Sequence, residues 1–159
     1  MDERAQAIET LYRERYSRFR DGVATITRDY EGARDVVQEA FARALRHRRD
    51  FRGEGTLEAW VWRIVLRTAR EHVRRSGGRL NGTFEAALVE PERDPALAEA
   101  LRALPPKRRL IVFLHYFADL SYAQLAEACG VQEGTVGATL AQARAALEEQ
   151  LQEESRESS

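Results

Sequence analysis

Four arginines recur at helical spacing between residues 63 and 74. Arg63, Arg67, Arg70 and Arg74 lie four, three and four residues apart, so the 3.6-residue period of an α-helix places them on one face. Stacked guanidinium groups repel one another unless an anionic partner neutralises them. The pattern therefore favours binding of a polyanion, and the backbone of a nucleic acid is the best candidate.

Other kinds of site have no comparable pattern. The three histidines share no spacing that would build a site. The single cysteine, Cys129, has neither a disulfide partner nor a set of metal ligands around it in the sequence. We therefore expect no enzyme activity, no metal and no cofactor. The chain also lacks the apolar run of roughly 20 residues that a membrane span needs, and the pattern of a secretory signal. We expect a cytoplasmic protein without membrane insertion.

Charge divides the chain into two unequal parts. Residues 1–80 contain 18 basic and 13 acidic residues, a balance of +5, whereas residues 81–159 contain 7 basic and 13 acidic residues, a balance of −6. Opposite signs in the two halves indicate two modules with different partners. The basic first half suits a nucleic acid, and the acidic second half suits it poorly.

Helical periodicity predicts an all-α fold of two small domains. In the first half, apolar residues from Ile8 to Ile26 indicate one long helix, and Asp35 begins a second. Thr56 is a suitable N-cap for the third helix, which bears the arginines. A segment rich in glycine and containing two prolines follows, as is typical of a linker.

The second half is predicted to contain four helices. They cover 96–104, the segment from Pro105 and Pro106 to about Asp119, the segment from the N-cap Ser121 to Gly130, and 133–152. The last two, joined by a tight turn, indicate a helix-turn-helix. The expected boundaries are a first domain at 1–76, a linker at 77–94, a second domain at 95–153 and a disordered tail at 154–159.

Several motifs in this order resemble a group 4 (extracytoplasmic-function) sigma factor of bacterial RNA polymerase, in the sigma-70 superfamily. The resemblance covers roughly residues 8–151. It is carried by DVVQEAF at 35–41, FRGEGTLEAWVWRI at 51–64, LPPKRR at 104–109, LSYAQLAEACGV at 120–131 and GTV at 134–136. It implies that the first domain is sigma region 2 and that the second domain is the sigma region 4 helix-turn-helix.

The resemblance also implies two binding surfaces. Core RNA polymerase is expected to bind through its clamp coiled coil and its flap, at Asp35, Gln38, Glu39, Arg43, Arg108 and Arg109. The −10 promoter strand is expected at Phe51, Arg52, Gly53, Glu54, Gly55, Trp62, Arg63, Arg67, Arg70, Arg74 and Arg75. Trp60 is expected in the core; burial is the favoured interpretation for Trp62 too, with base stacking as the alternative.

The chain departs from the family pattern in two places. The family commonly has asparagine where this chain has Arg67, so a base-reading amide has become a cation. The last helix lacks most of the basic residues expected at the −35 element, where the contacts would fall on Thr135, Ala138, Thr139, Gln142 and Arg144. Each lost phosphate contact weakens DNA binding. The hypothesis is that this domain reads the −35 element weakly or binds a protein there.

The predicted function is that of a promoter-specificity subunit. It binds core polymerase, recognises and melts the −10 region and directs initiation, and the family resemblance implies an anti-sigma factor as a further partner. The free protein is expected to be a monomer. Two alternatives stay open. One is a sigma-like decoy or partner-switch protein that binds an anti-sigma factor or another protein instead of DNA. The other is an ordinary helix-turn-helix repressor, for which a basic recognition helix is missing.

Overall fold

The computed structural model describes residues 1–76, 99 and 103–157, and the helices in these ranges form two packed groups. The first group consists of α1 (Glu3–Thr27), α2 (Tyr30–Arg46) and α3 (Leu57–Arg75), with a 3₁₀ turn at Arg48–Asp50. The second consists of α4 (Pro106–Ala118), α5 (Tyr122–Cys129) and α6 (Glu133–Glu157). The prediction of an all-α protein with two small helical domains is confirmed.

Aromatic side chains fill the centre of the first domain. Phe19 of α1 lies 4.4 Å from the ring of Trp62 and 5.2 Å from that of Phe41, measured between ring centroids. Phe19 and Trp62 are completely buried, and Phe41 nearly so. Because each of the three helices contributes one of these rings, the cluster fixes how α1, α2 and α3 pack together.

The second helix begins earlier than the sequence predicted. It starts at Tyr30 instead of Asp35, because Asp29 is an N-cap whose carboxylate accepts a hydrogen bond from the Gly32 backbone N–H at 2.9 Å. The same carboxylate lies 3.2 Å from Nε2 of His72 near the end of α3. A Cβ at Gly32 would overlap the Asp29 carboxylate and the His72 ring, so a larger residue there would displace both. The cap therefore joins the start of α2 to the end of α3.

This cap predicts a specific pH dependence of stability. The hydrogen bonds from Gly32 and His72 hold the pKa of Asp29 below its ordinary value. A lowered carboxyl pKa stabilises the fold above the unfolded-state value, and the contribution is lost as the pH falls through the folded-state pKa. Since Asp29 is about half exposed, we expect Asp29→Asn to lower the free energy of unfolding at pH 7 by only about 0.2–1 kcal/mol. The difference should shrink at pH 3 in urea unfolding. Asp21→Asn on α1 is the control, and an equal loss at both pH values would contradict the prediction.

The helix-turn-helix of the second domain has the predicted signals at both ends of its first helix. The Ser121 hydroxyl accepts a hydrogen bond from the Gln124 N–H at 3.2 Å, and the Gln124 side chain accepts one from the Ser121 N–H at 2.6 Å. This reciprocal capping box begins α5. Gly130 ends the helix with φ of 68°, in the left-handed region that glycine adopts without strain.

The last helix is longer than predicted. It continues to Glu157, so the expected disordered tail is wrong for residues 154–157. The physical reason is that this segment contains good helix formers and neither glycine nor proline before Ser158. The predicted linker at 77–94 lies outside the described residues, and so does most of the predicted helix at 96–104.

Candidate nucleic-acid interface

The glycine-containing loop before α3 has a defined backbone. Gly53 and Gly55 both have φ of 78°, which is strained for any residue with a Cβ. Thr56 then caps α3 as predicted, since its hydroxyl accepts a hydrogen bond from the Ala59 N–H at 3.2 Å. Arg52 and Glu54 are exposed on this loop. The sequence thus positions the loop at the N-terminus of the arginine-bearing helix.

The arginine face of α3 forms as the spacing predicted. Arg63, Arg67, Arg74 and Arg75 are exposed and Arg70 is half-buried. Within the described ranges 1–76 and 103–157, no ion pair joins Arg63 or Arg67 to a carboxylate. These two guanidinium groups are therefore available to an anionic partner.

A groove runs between the C-terminal half of α2 and α3 beside this face. Its volume is about 740 Å³. It is lined by Arg43, Arg46, His47, Asp50, Trp60, Arg63, Ile64, Arg67 and Glu71. The combination of cations with an aromatic ring is suited to binding a single-stranded nucleic acid, which offers both phosphates and flat bases.

The two tryptophans differ in exposure, and burial, which was the favoured interpretation for Trp62, is what the structure shows. Trp62 is completely buried against Phe19, so it cannot stack on a base while the domain is folded, and its assignment to the −10 surface is wrong. Trp60, which was expected in the core, is partly exposed and lies 5.5 Å from the ring of Phe51. The spacing contained this signal, since Trp60 precedes Arg63 by three residues and Arg67 by seven and so shares their face.

The outer side of α2 presents three of the predicted polymerase contacts. Asp35, Gln38 and Glu39 are exposed. Arg43 already forms two ion pairs within the domain, because its guanidinium group lies 3.0 Å from the Glu39 carboxylate and 2.7 Å from that of Glu71 on α3. The Glu71 carboxylate raises the pKa of Arg43. Arg43 therefore links α2 to α3, whatever else it contacts.

The recognition helix α6 has few groups that could read DNA. Thr139 is completely buried, so its assignment to the −35 surface is wrong; it lies on the same face as the core residues Val136 and Ala143. Gln142 is exposed, but its side-chain oxygen accepts a hydrogen bond from Arg108 at 2.9 Å. Of the other predicted contacts, Ala138 and Arg144 are exposed and Thr135 is partly exposed, while the predicted flap contacts Arg108 and Arg109 are half-buried.

The histidines and possible metal ligands do not come together. His72 contacts Asp29, and His47 lies 3.6 Å from Asp50. His115 lies among the rings of Tyr116 and Tyr122 in the second domain. No group of three or more potential metal ligands occurs in the described part of the chain. No described helix is long and apolar enough to cross a membrane.

The two domains contact each other, which the sequence did not predict. Helix α5 packs against α3, and α4 packs against α1. The Gln124 side chain donates a hydrogen bond to the Thr56 hydroxyl at 2.9 Å, and the Glu127 carboxylate lies against Gly55. The second domain therefore touches the same loop on which the −10 promoter strand was expected. No pattern in one sequence could have indicated which faces of two domains meet.

Comparison with known proteins assigns both halves of the chain. The family model described as sigma-70 region 2 matches residues 11–79, and the one described as sigma-70, region 4 matches residues 95–147. The chain belongs to the sigma-70 family. Sigma factors are subunits for transcription initiation that catalyse no reaction themselves. The resemblance inferred from the motifs is confirmed.

Curated relatives of this sigma factor are bacterial. The RNA polymerase sigma factor SigV of Bacillus subtilis is 31% identical over 133 residues, which is 80% of this chain and 80% of that protein. The ECF RNA polymerase sigma-E factor of Escherichia coli strain K12 is 29% identical over 139 residues, which is 74% of this chain and 73% of that protein.

A solved structure has the same fold. It is the co-crystal structure of the sigma factor RpoE in complex with the anti-sigma factor NepR from Bartonella quintana, with a TM-score of 0.55 and 21% identity. The alignment covers 91% of this chain and 98% of that one. At this level of identity, the likeness supports the helical architecture of both domains.

Proposed function

We propose that this sigma factor binds core RNA polymerase through the outer side of α2 and directs initiation by holding the melted −10 strand on α3. The observation that carries the proposal is the exposed arginine face beside the glycine-containing loop and the Phe51–Trp60 ring pair. Cations bind the strand's phosphates and aromatic rings bind its bases, which is how proteins hold single-stranded DNA.

A preference for unpaired over paired DNA would open the strands without any covalent chemistry. Unpaired bases expose flat faces that can stack on Trp60 and Phe51, and each such contact is worth about 1–3 kcal/mol. Paired bases in a duplex cannot make these contacts. A protein that binds the open state more tightly than the duplex shifts the equilibrium towards opening. Arg67 adds a positive charge where many relatives are expected to have an amide, which favours phosphate contact over base reading.

The polymerase contacts are proposed on two surfaces. Asp35, Gln38 and Glu39 form an exposed polar row on α2, at spacings of three and four residues that keep them on one side of the helix. Arg108 and Arg109 near the start of α4 are the proposed flap contacts. An anti-sigma factor is proposed as a further partner, since RpoE of Bartonella quintana, which shares the fold, was solved with one.

In vitro transcription tests the proposal. Purified protein and bacterial core polymerase are mixed with sheared genomic DNA from the source organism, and transcript starts are mapped. Starts that cluster at defined positions, above those of core polymerase alone, are the expected result. The upstream sequences of these starts would also show whether a −35 element is used. The absence of clustered starts would contradict the proposal.

The second candidate is a sigma-like decoy or partner-switch protein that binds an anti-sigma factor or another protein instead of promoter DNA. The observation that favours it is the recognition helix, where Thr139 is buried, Gln142 is bonded to Arg108 and Ala138 offers no charge. The DNA-binding face of such a helix normally contributes several base and phosphate contacts. Weak readout of the −35 element is therefore proposed in both cases.

Adding a cation to this helix tests the weak readout. We expect Ala138→Lys to tighten binding of the full chain to duplex DNA at low salt and to steepen the dependence of log affinity on log salt by about 0.9, the value of one phosphate contact. The control is Ala145→Lys, which adds the same charge at another exposed position two turns further along α6. Equal effects of the two substitutions would show that the start of α6 is not placed on DNA.

A further inference from the structure

One arginine joins the turn that leads into the glycine-containing loop to the ends of two helices. Arg48 begins the 3₁₀ turn that follows α2. Its Nε donates a hydrogen bond to Oδ2 of Asp2 at 2.7 Å, and its Nη1 donates one to the Leu45 backbone carbonyl at 2.8 Å. Asp2 is the N-cap of α1, and Leu45 lies in the last turn of α2. The guanidinium group therefore ties the start of the turn to both helices.

The carboxylate that binds Arg48 is itself held in place. The other oxygen of Asp2, Oδ1, accepts a hydrogen bond from the Ala5 N–H at 2.8 Å, which is the capping bond of α1. The hydrogen bond from Arg48 and, after it, that from Ala5 lower the pKa of Asp2, so this side chain is charged at neutral pH. Arg48 is thus bound to an ionised acceptor whose orientation is set by a helix end.

Arg48 acts on the groove through Phe51. The Phe51 N–H donates a hydrogen bond to the Arg48 carbonyl at 3.3 Å, and the Phe51 ring lies 5.5 Å from that of Trp60. The described residues that line the groove include His47 and Asp50 but not Arg48, whose guanidinium group is engaged at the end of α1. Aromatic rings attract each other at centroid separations of about 4.5–7 Å, so a displacement of the turn by about 2 Å would separate the ring pair.

We propose that Arg48 is a positioning residue for strand capture: its bonds to Asp2 and Leu45 hold Phe51 against Trp60, where the two rings receive an unpaired base. The inference rests on the proposed function, in which these rings bind bases. Partly exposed ion pairs contribute little to stability, so the fold should tolerate the loss of this one. The loss should instead displace Phe51 and weaken base stacking.

Two substitutions break the ion pair from opposite sides. Arg48→Met removes the guanidinium group and makes the chain more negative, whereas Asp2→Asn makes it more positive. Asparagine is also a good N-cap, so α1 should keep its first turn, but the amide nitrogen replaces the oxygen that binds Arg48. A purely electrostatic effect on DNA binding would have opposite signs in the two variants, and a positioning effect would have the same sign. Arg49→Met, which removes an exposed cation from the same turn, is the control.

The position of Phe51 is measured without DNA. In nuclear magnetic resonance spectra of the full chain, a nuclear Overhauser contact between the Phe51 and Trp60 rings is expected in the wild type and in Arg49→Met. The contact should be weak or absent in Arg48→Met and Asp2→Asn, while circular dichroism establishes that all variants stay helical. An equal ring contact in all four proteins would overturn the positioning role.

Binding of a fluorescent oligodeoxythymidine gives the second readout, by comparison with the same strand carrying abasic sites in place of its central bases. A stacked base is worth about five- to one-hundred-fold in affinity, and the ratio of the two affinities measures it. We expect Arg48→Met and Asp2→Asn each to lower this ratio by about three-fold or more, and Arg49→Met to leave it unchanged.

The two readouts separate this proposal from the proposed function. Changes of opposite sign in Arg48→Met and Asp2→Asn, or a ratio that neither variant lowers, would overturn the positioning role. A wild type that binds the intact and the abasic strand equally, with the ring contact changing as expected, would overturn the proposed role of the rings in DNA binding instead.

Discussion

Reversing two charges on α3, in the double variant Arg63→Glu and Arg67→Glu, is expected to abolish binding of single-stranded DNA and clustered transcription starts. Both side chains are exposed, and neither is paired with a carboxylate in the described ranges. Their replacement should therefore leave the fold intact. The physical reason for the loss is counterion release, which contributes a salt-dependence slope of about 0.7 for each phosphate bound on a single strand.

The salt dependence makes this prediction quantitative. In the milder variant Arg63→Ala and Arg67→Ala, the slope of log affinity against log salt should fall by about 1.4, the value of two phosphate contacts. Arg13→Ala and Arg15→Ala, which remove two exposed arginines from α1, are the matched control and should leave the slope unchanged. A slope that falls equally in both double variants would mean that DNA binding is diffuse and that the arginine face is not its site.

The second large effect is expected at Trp62. Its ring is completely buried and packs 4.4 Å from that of Phe19, so Trp62→Ala should lower the free energy of unfolding by about 3–5 kcal/mol. A loss of this size is a large part of the total stability of a small domain. Urea unfolding followed by circular dichroism measures it.

Trp60→Ala provides the contrasting variant. Trp60 is partly exposed and borders the groove beside the arginine face, so its removal should cost much less stability. It should instead weaken single-strand binding by about 1–3 kcal/mol, the value of one stacked base. If Trp60→Ala destabilised the domain as much as Trp62→Ala while strand affinity stayed unchanged, the assignment of the two rings would be reversed.

The elements that depend on local chemistry were predictable from the sequence. Thr56, Ser121 and Gly130 each cap a helix through interactions with residues no more than a few positions away, so their roles can be deduced from residue type and spacing. The arginine face was predictable for the same reason. The start of α2 at Tyr30 was not predicted, although its N-cap, Asp29, is a residue type suited to that position.

What could not be predicted depends on contacts between distant parts of the chain. Trp60 shares the helix face of Arg63 and Arg67, which indicates its exposure, but the complete burial of Trp62 depends on the packing of α1 against α3. The burial of Thr139 similarly depends on how α6 packs within its domain. The approach of Glu127 to Gly55 joins positions 72 residues apart, and it involves two faces that carry no periodic signal of their own.

Helices α2 and α3 are fastened to each other at two levels along their length. Arg43, three residues before the end of α2, bonds to Thr68 and Glu71, and Asp29 contacts His72 at the corner where α2 begins. Because the two attachments are widely spaced along α2, they oppose rotation of α2 against α3 more than either would alone. A large partner bound to α2 would therefore also fix the position and orientation of α3 relative to itself. This subunit is proposed to bind polymerase with one of these helices and DNA with the other. The relative orientation of the two binding surfaces is therefore set before either partner binds.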